Sequence, residues 1–252
     1  MNAPVDTKAS RLVTLLQDFK LTVVAEELVG RLVQAGQDNA VPTLVEVLEL
    51  EREARHERRV ARLRRASKLP TGKTFETFDE GRLSRAVMRK LDELRAGDFI
   101  DKAVNVLAFG LPGVGKSHAI AALGHDLIQQ GRSVLWTPTY TLVQELLAAK
   151  RDLDLPRKLR RLDGYELMIL DDIGYIKQSA EEAEVLFTLL AERYERRSTA
   201  ITSNLVFSEW NRIFKNQMAT SAAIDRLVHH SVVLEFDVPS YRTEKAKGRK
   251  KS

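Results

Sequence analysis

Residues Val104-Asn105-Val106-Leu107-Ala108-Phe109 run directly into Gly110-Leu111-Pro112-Gly113-Val114-Gly115-Lys116-Ser117. The first six form a short apolar run, the signature of a buried strand. The next eight fit G-x4-G-K-[ST]. Glycines let the backbone curl so that its N–H groups surround a phosphate, and the helix that follows adds the positive potential of its N-terminus. In that pattern Lys116 reaches the β- and γ-phosphates of a nucleotide and Ser117 offers its hydroxyl to Mg²⁺. The bland alternative, a glycine-rich turn without a ligand, does not require a strand before it and a helix after it. The candidate nucleotide contacts are Gly110, Pro112, Gly113, Val114, Gly115, Lys116, Ser117 and His118.

Working outward, strands and helices alternate. The runs 104–109, 133–138, 166–171, 199–203 and 231–236 read as strands, and 82–96, 117–130, 139–150 and 181–196 as helices, with two short helices within 208–229. Strands this short separated by helices predict βαβ units and a five-stranded parallel sheet with helices on both faces. Ligands of such sheets bind outside the carboxyl ends of the strands. The third strand ends there in Leu170-Asp171-Asp172. Asp171 is the candidate Mg²⁺ ligand together with Ser117, and Asp172 the candidate activator of an attacking water. A loop-capping pair is the competing reading. The fourth strand ends in Thr202-Ser203-Asn204, whose amide either touches the γ-phosphate or the water, or starts a turn. Arg226 lies beside apolar Ile224 and Leu227 and, on the residues alone, reads as a surface charge.

N-terminal to this core, residues 10–35 carry two helical repeats of leucine and valine. Pro42 and Thr43 open a long helix reaching about Ser67. Its first half keeps an apolar face (Leu44, Val47, Leu48), whereas its second half exchanges that face for arginines and is either solvated or laid on a partner. Lys68 to Lys73 reads as a linker. The expected domains are a helical one over 1–70, a core over 71–240 and a basic tail over 241–252.

The 252 residues, 44% apolar and 30% charged, suffice for one α/β domain and a small second one. The absence of cysteine excludes disulfide frameworks, thiolate metal sites and cysteine nucleophiles. No apolar run has the length of a membrane span, so the expectation is a cytoplasmic protein without membrane contact. Net charge is +5, but residues 51–73 carry +6 and residues 241–252 another +5, leaving the remainder at −6. A mildly acidic body with two basic segments suits a polyanion such as nucleic acid. A solvated helix and a frayed tail explain the same numbers.

These residues together resemble AAA+ ATPases of the bacterial helicase-loader and transposition-helper clade, above all the IstB-like insertion-sequence ATPases. The likeness covers nearly the whole chain. It is carried by the helix from Glu51 to Ala66, Leu69-Pro70, Lys73 to Asp79, the phosphate loop, Leu170 to Tyr175, Thr202-Ser203-Asn204, Asp225-Arg226-Leu227 with His229-His230, and Ser240-Tyr241-Arg242. The resemblance implies an AAA+ P-loop core whose helical lid is absent or very short. It implies an ATPase using ATP and Mg²⁺ that forms ATP- and DNA-dependent homo-oligomers, selects duplex target DNA and stimulates a partner transposase. A replicative helicase loader of the DnaC/DnaI type is the first alternative and a small-molecule kinase the second. In the family's pattern Lys116, Asp172, Asn204 and Arg226 form the catalytic set, Asn204 as sensor 1 and Arg226 as an arginine finger acting across subunits. Arg242 is the nearest candidate for sensor 2. Asp172 stands where many relatives carry Glu, one methylene longer, which implies slow turnover suited to a switch. DNA contacts are expected among Arg58, Arg59, Arg62, Arg65, Arg151, Arg157, Lys158 and Arg242. With no base-reading module recognisable, those contacts would go to phosphates and shape.

Overall fold

The computed structural model describes residues 3–174, 179–206, 209–210 and 227–241, with side chains from residue 7 onward. The expected short helices within 208–229, Arg226, Arg242, the basic tail and any lid contributed by these segments lie outside the described residues, apart from short pieces at 209–210 and 227–229. The chain divides into two compact units, Met1–Ala61 and Arg62–Ser252.

In the first unit, α1 (Ala3–Asp18), α2 (Thr22–Gln34) and the start of α3 (Val41–Ser67) share a small core. Leu12, Leu16, Ala25 and Val41 are buried in it, with Leu28, Leu32, Leu44 and Leu48 packed around them. Most of these are the leucine positions at helical spacing, joined by Ala25 and Val41, whereas Val24 and Val47 of the expected apolar faces are exposed. Arg11 pairs with Glu49 at 2.8 Å, joining α1 to α3. Beyond Leu50 the helix α3 exposes Arg55, Arg58, Arg59, Arg62, Arg64 and Arg65. It stops where Ser67 Oγ donates to the Arg64 carbonyl (2.8 Å) and accepts from the Leu69 N–H (3.2 Å), with Lys68 left-handed at φ 56°.

The second unit begins with a segment that differs from the expected linker. Leu69 is buried, and its side chain sits in the notch left by the missing Cβ of Gly124, where an added Cβ would come within 3.0 Å of it. His125 Nε2 donates to the Pro70 carbonyl at 3.2 Å. The stretch is thus docked on the core, through a glycine that sequence periodicity cannot distinguish from any other small helical residue.

After α4 (Arg85–Arg95, capped by the Ser84 hydroxyl) and the short α5 (Asp98–Asp101), strands and helices alternate: β1 (Asn105–Gly110), α6 (Lys116–Gln129), β2 (Val134–Pro138), α7 (Thr139–Arg151), α8 (Leu155–Asp163), β3 (Leu167–Ile173), α9 (Ala180–Arg193), β4 (Ser198–Ser203) and β5 (Ser231–Phe236). The sheet is five-stranded and parallel, in the order β2-β3-β4-β1-β5. Connections leave β1 towards one edge and β4 towards the other, so a crevice opens at the carboxyl end of β1. All six residues of β4 are buried, and so are all of β1 except the half-buried Gly110. The core between the sheet and α7, α8 and α9 includes Leu107, Met168, Leu170, Leu186, Leu189 and Trp210.

Helix α8 has no counterpart among the helices expected from the sequence, which names only Arg151, Arg157 and Lys158 in this stretch, as DNA contacts. Pro156 stands in its first turn, Leu155, Leu159 and Leu162 turn to the core, and Arg157, Arg160 and Arg161 turn outward. Its arginines mask a leucine repeat that is regular but short.

One buried cation ties these layers together. Arg193, 2% exposed at the end of α9, donates to the carbonyls of Leu162 (3.1 Å), Tyr165 (3.1 Å) and Ser198 (2.8 Å) and to Thr199 Oγ1 (3.3 Å). Burial pulls its guanidinium down to about 10, so it remains a cation at neutral pH. Replacing it by an apolar chain strands these acceptors. Arg193→Met should destabilise the second unit by about 2–4 kcal/mol, read from denaturant unfolding. An unchanged midpoint would mean that those carbonyls find other donors.

Candidate active site

The crevice at the end of β1 holds the phosphate loop. Gly110 has φ 149°, and a Cβ there would stand 2.5 Å from the Phe236 carbonyl oxygen, so only glycine lets β1 turn beside β5. Gly113 and Gly115 also take positive φ, 84° and 102°, and Gly115 is the N-cap of α6. Their curl aims backbone donors and the positive helix end at one spot. Lys116 is buried, and its Nζ donates to the Gly110 carbonyl at 2.6 Å and the Leu111 carbonyl at 2.9 Å. The ammonium therefore lies across the loop. Pro112 is exposed at the loop tip, and Val114 is buried beneath it.

The first of the two strand-end carboxylates, Asp171, faces this loop. Asp171 Oδ1 accepts from Ser117 Oγ at 2.6 Å and from Thr202 Oγ1 at 2.7 Å. Between β3 and β4 the register pairs Leu170 with Ile201 but Ile173 with Ser203. Asp171 and Asp172 together stand opposite the single Thr202, which is a β-bulge. Asp172 absorbs the extra residue with φ 63°, a left-handed conformation that costs on the order of 1 kcal/mol outside glycine. Its N–H donates to Thr202 Oγ1 at 2.8 Å, and the residue is exposed at the crevice. Thr139 Oγ1 donates to the Asp171 carbonyl at 3.0 Å and fixes the same turn from α7. Asn204 follows β4 with its Oδ1 buried and, among the described residues, without a hydrogen-bond partner, an arrangement that favours a further donor at this spot.

A cavity of about 390 Å³ extends from the loop, walled by the arm over residues 72–83 and by Tyr241. His118 Nε2 lies 3.1 Å from the Thr74 carbonyl and 3.1 Å from Thr77 Oγ1, which makes that nitrogen the protonated one. Burial holds its pKa below the usual histidine value, so the ring is neutral at pH 7. Phe78 packs on His118 with ring centroids 5.1 Å apart. The Tyr241 N–H donates to the Gly113 carbonyl at 3.0 Å, and the Arg82 guanidinium lies 5.2 Å from the Tyr241 ring centroid.

These residues fit a nucleoside triphosphate with a divalent cation. The curled loop with its ammonium suits polyphosphate. Ser117 already gives its proton to Asp171, so the lone pairs of its hydroxyl stay open to a cation. Hydroxyl and carboxylate oxygens are the hard donors Mg²⁺ selects.

Residues 14–249 match the family profile described as IstB-like ATP binding protein. The chain belongs to this IstB-like family. Among its relatives is one from Sinorhizobium fredii, provisionally named as an insertion sequence ATP-binding protein. It is 40% identical over 240 residues, which cover 94% of this chain and 80% of the relative. Another is the provisionally named ATP-binding protein of insertion sequence IS21 from Pseudomonas aeruginosa, 36% identical over 236 residues, 92% of this chain and 88% of the relative. Among solved structures, the DnaC helicase loader superposes with a TM-score of 0.56 at 16% identity, over 66% of this chain and 98% of that one. That likeness is one of AAA+ fold.

In this IstB-like chain Ser117 joins the phosphate loop to Asp171, and Asp172 and Asn204 stand at the carboxyl ends of β3 and β4. The described residues among the expected DNA contacts lie on α3, on α8 and at the end of α7. Arg58 pairs with Glu51 at 3.2 Å, and Arg59, Arg62 and Arg65 are exposed along α3. Arg151 and Arg157 are exposed at the end of α7 and on α8, whereas Lys158 is bound to Glu145 at 2.5 Å. Sequence reasoning singled out neither Thr202 nor Phe78, Arg82 and Tyr241 for a role. The Thr202 hydroxyl, two residues before Asn204, is plain in the sequence, but its partners depend on the β3–β4 register, which leaves no local signal. No helix of the described residues is long and apolar enough to cross a membrane.

Proposed function

We propose that this chain is a Mg²⁺-dependent ATPase that binds duplex DNA and assists a transposase, with ATP hydrolysis as its switch. The observation that carries the hydrolytic reading is the 2.6 Å contact between Ser117 Oγ and Asp171 Oδ1, which joins the phosphate loop to the acidic strand end. The transposition setting is supported by the insertion-sequence names of the relatives.

In this reading Lys116 exchanges its bonds to the Gly110 and Leu111 carbonyls for bonds to the β- and γ-phosphate oxygens. Ser117 and Asp171 hold Mg²⁺, which when bound offsets negative charge on the phosphate oxygens. Asp172 accepts a proton from the attacking water. Asn204 Oδ1 accepts that water's second hydrogen, which aims its lone pair at the γ-phosphorus. Arg226, by family position, spreads transition-state charge from a neighbouring subunit of a homo-oligomer. Residues 1–70 form the helical domain that ends in the basic helix, 71–240 the ATPase core and 241–252 a basic tail. The arginines of α3, with Arg151, Arg157 and Arg242, contact DNA phosphates. The likeness to a helicase loader is one of fold, so the names of the relatives favour the transposase partner.

Lys116→Ala should weaken ATP binding and abolish hydrolysis, while Asp172→Asn should bind ATP with Mg²⁺ and release no phosphate. Wild-type turnover in either variant contradicts the assigned roles. Replacing Arg62 and Arg65 together by Gln should flatten the log–log salt dependence of duplex binding by about 1.8, at ~0.9 for each phosphate that is no longer neutralised. An unchanged slope would leave those arginines as solvated charges.

A further inference from the structure

We propose that Thr202 is a positioning residue for the strand-end carboxylates: its single hydroxyl turns Asp171 to the phosphate loop and holds Asp172 out at the crevice. The proposal rests on the hydrolytic reading above and deepens it.

Proton bookkeeping fixes the direction of every bond. A backbone N–H can only donate, so Thr202 Oγ1 is the acceptor in its 2.8 Å contact with Asp172. A hydroxyl has one proton, and an ionised carboxylate can only accept. That proton therefore goes to Asp171 Oδ1, 2.7 Å away. Thr202 is 1% exposed, so water does not compete for either bond. One buried group thus holds the side chain of the first carboxylate and the backbone of the second.

The bulge explains why such a group is needed. In a regular strand adjacent residues point to opposite faces, and only one of two consecutive carboxylates could serve the crevice. Here the ladder is interrupted between Leu170 and Ile173, and a hydroxyl of β4 stands in where the backbone partner is displaced: Thr202 takes the Asp172 N–H. Strained backbone persists only where its surroundings over-determine it. The Thr202 contact supplies that constraint at Asp172. Its β-branched carbon also limits the hydroxyl to few rotamers.

The test compares Thr202→Val, which keeps the shape and removes the hydroxyl, with Thr202→Ser, which keeps the hydroxyl. In the full chain, Thr202→Val should lower kcat on the order of 10–100-fold, as expected for a carboxylate displaced by about 1 Å, with KM for ATP changed by less than about threefold. Thr202→Ser should restore most of the rate. A second readout needs no turnover: hydrogen exchange of the Asp172 amide should quicken by about fivefold in Thr202→Val, for the removal of one hydrogen bond, and stay near wild type in Thr202→Ser. Wild-type exchange at Asp172 in Thr202→Val overturns the proposal whatever the rate does. So does a Thr202→Ser variant that folds yet loses rate and protection as Thr202→Val does. If Thr202→Val fails to fold, Thr202→Ala replaces it with the same expectations. Asp172→Asn, measured alongside, separates the two claims. Turnover at the wild-type rate in that variant removes Asp172 from the chemistry, while the exchange measurement still decides what Thr202 holds.

Discussion

The hydrogen bond between Ser117 and Asp171, 2.6 Å long, is the constraint on which the site depends. It joins the first turn of α6 to the last residues of β3, two elements that meet only because β1 and β3 flank β4 in the same parallel sheet. The strand order therefore has a chemical consequence: it brings a loop of backbone donors and a pair of carboxylates to the same edge. Gly110 supports the loop by letting β1 turn against the Phe236 carbonyl, and Thr202 supports the carboxylates across the bulge. Arg193 anchors the opposite end of β4 by collecting the carbonyls of α8, β4 and the turn that leads into β3.

Much of this is legible in the sequence alone. The phosphate loop is readable because each of its residues answers a separate physical demand, and the five strands because parallel strands buried on both faces become continuous apolar runs. The order of those strands across the sheet has no signal in any single stretch. Three further features stay hidden for different reasons. The bulge at Asp171 and Asp172 depends on pairing with β4, so no local pattern announces it. Helix α8 has too few turns for its leucines to outweigh its arginines. The docking of Leu69 depends on the absence of a Cβ at Gly124, fifty-five residues further along the sequence.

The charge distribution takes a sharper form in the structure. Helix α3 begins as an amphipathic core helix and ends as a row of exposed arginines, some already answered by acids on the same helix, as Arg55 and Arg58 are by Glu51. Those pairs reduce what the helix offers a polyanion. Lys158 is similarly engaged by Glu145. Arg62, Arg65, Arg151 and Arg157 are exposed and form no ion pair among the described residues, so they are better placed to meet phosphates than the sequence alone could tell.

In the proposed function Ser117 and Asp171 together form the cation site of a bound nucleotide, while Asp172, next in sequence to Asp171, stands apart from it. Mn²⁺ in place of Mg²⁺ makes this directly measurable by electron paramagnetic resonance, in the presence of a non-hydrolysable ATP analogue. One tightly held Mn²⁺ per chain is expected, retained in Asp172→Asn and abolished or greatly weakened in Asp171→Asn and Ser117→Ala. Equal Mn²⁺ affinity in Asp171→Asn and the wild type, or loss of the ion in Asp172→Asn alone, would contradict it.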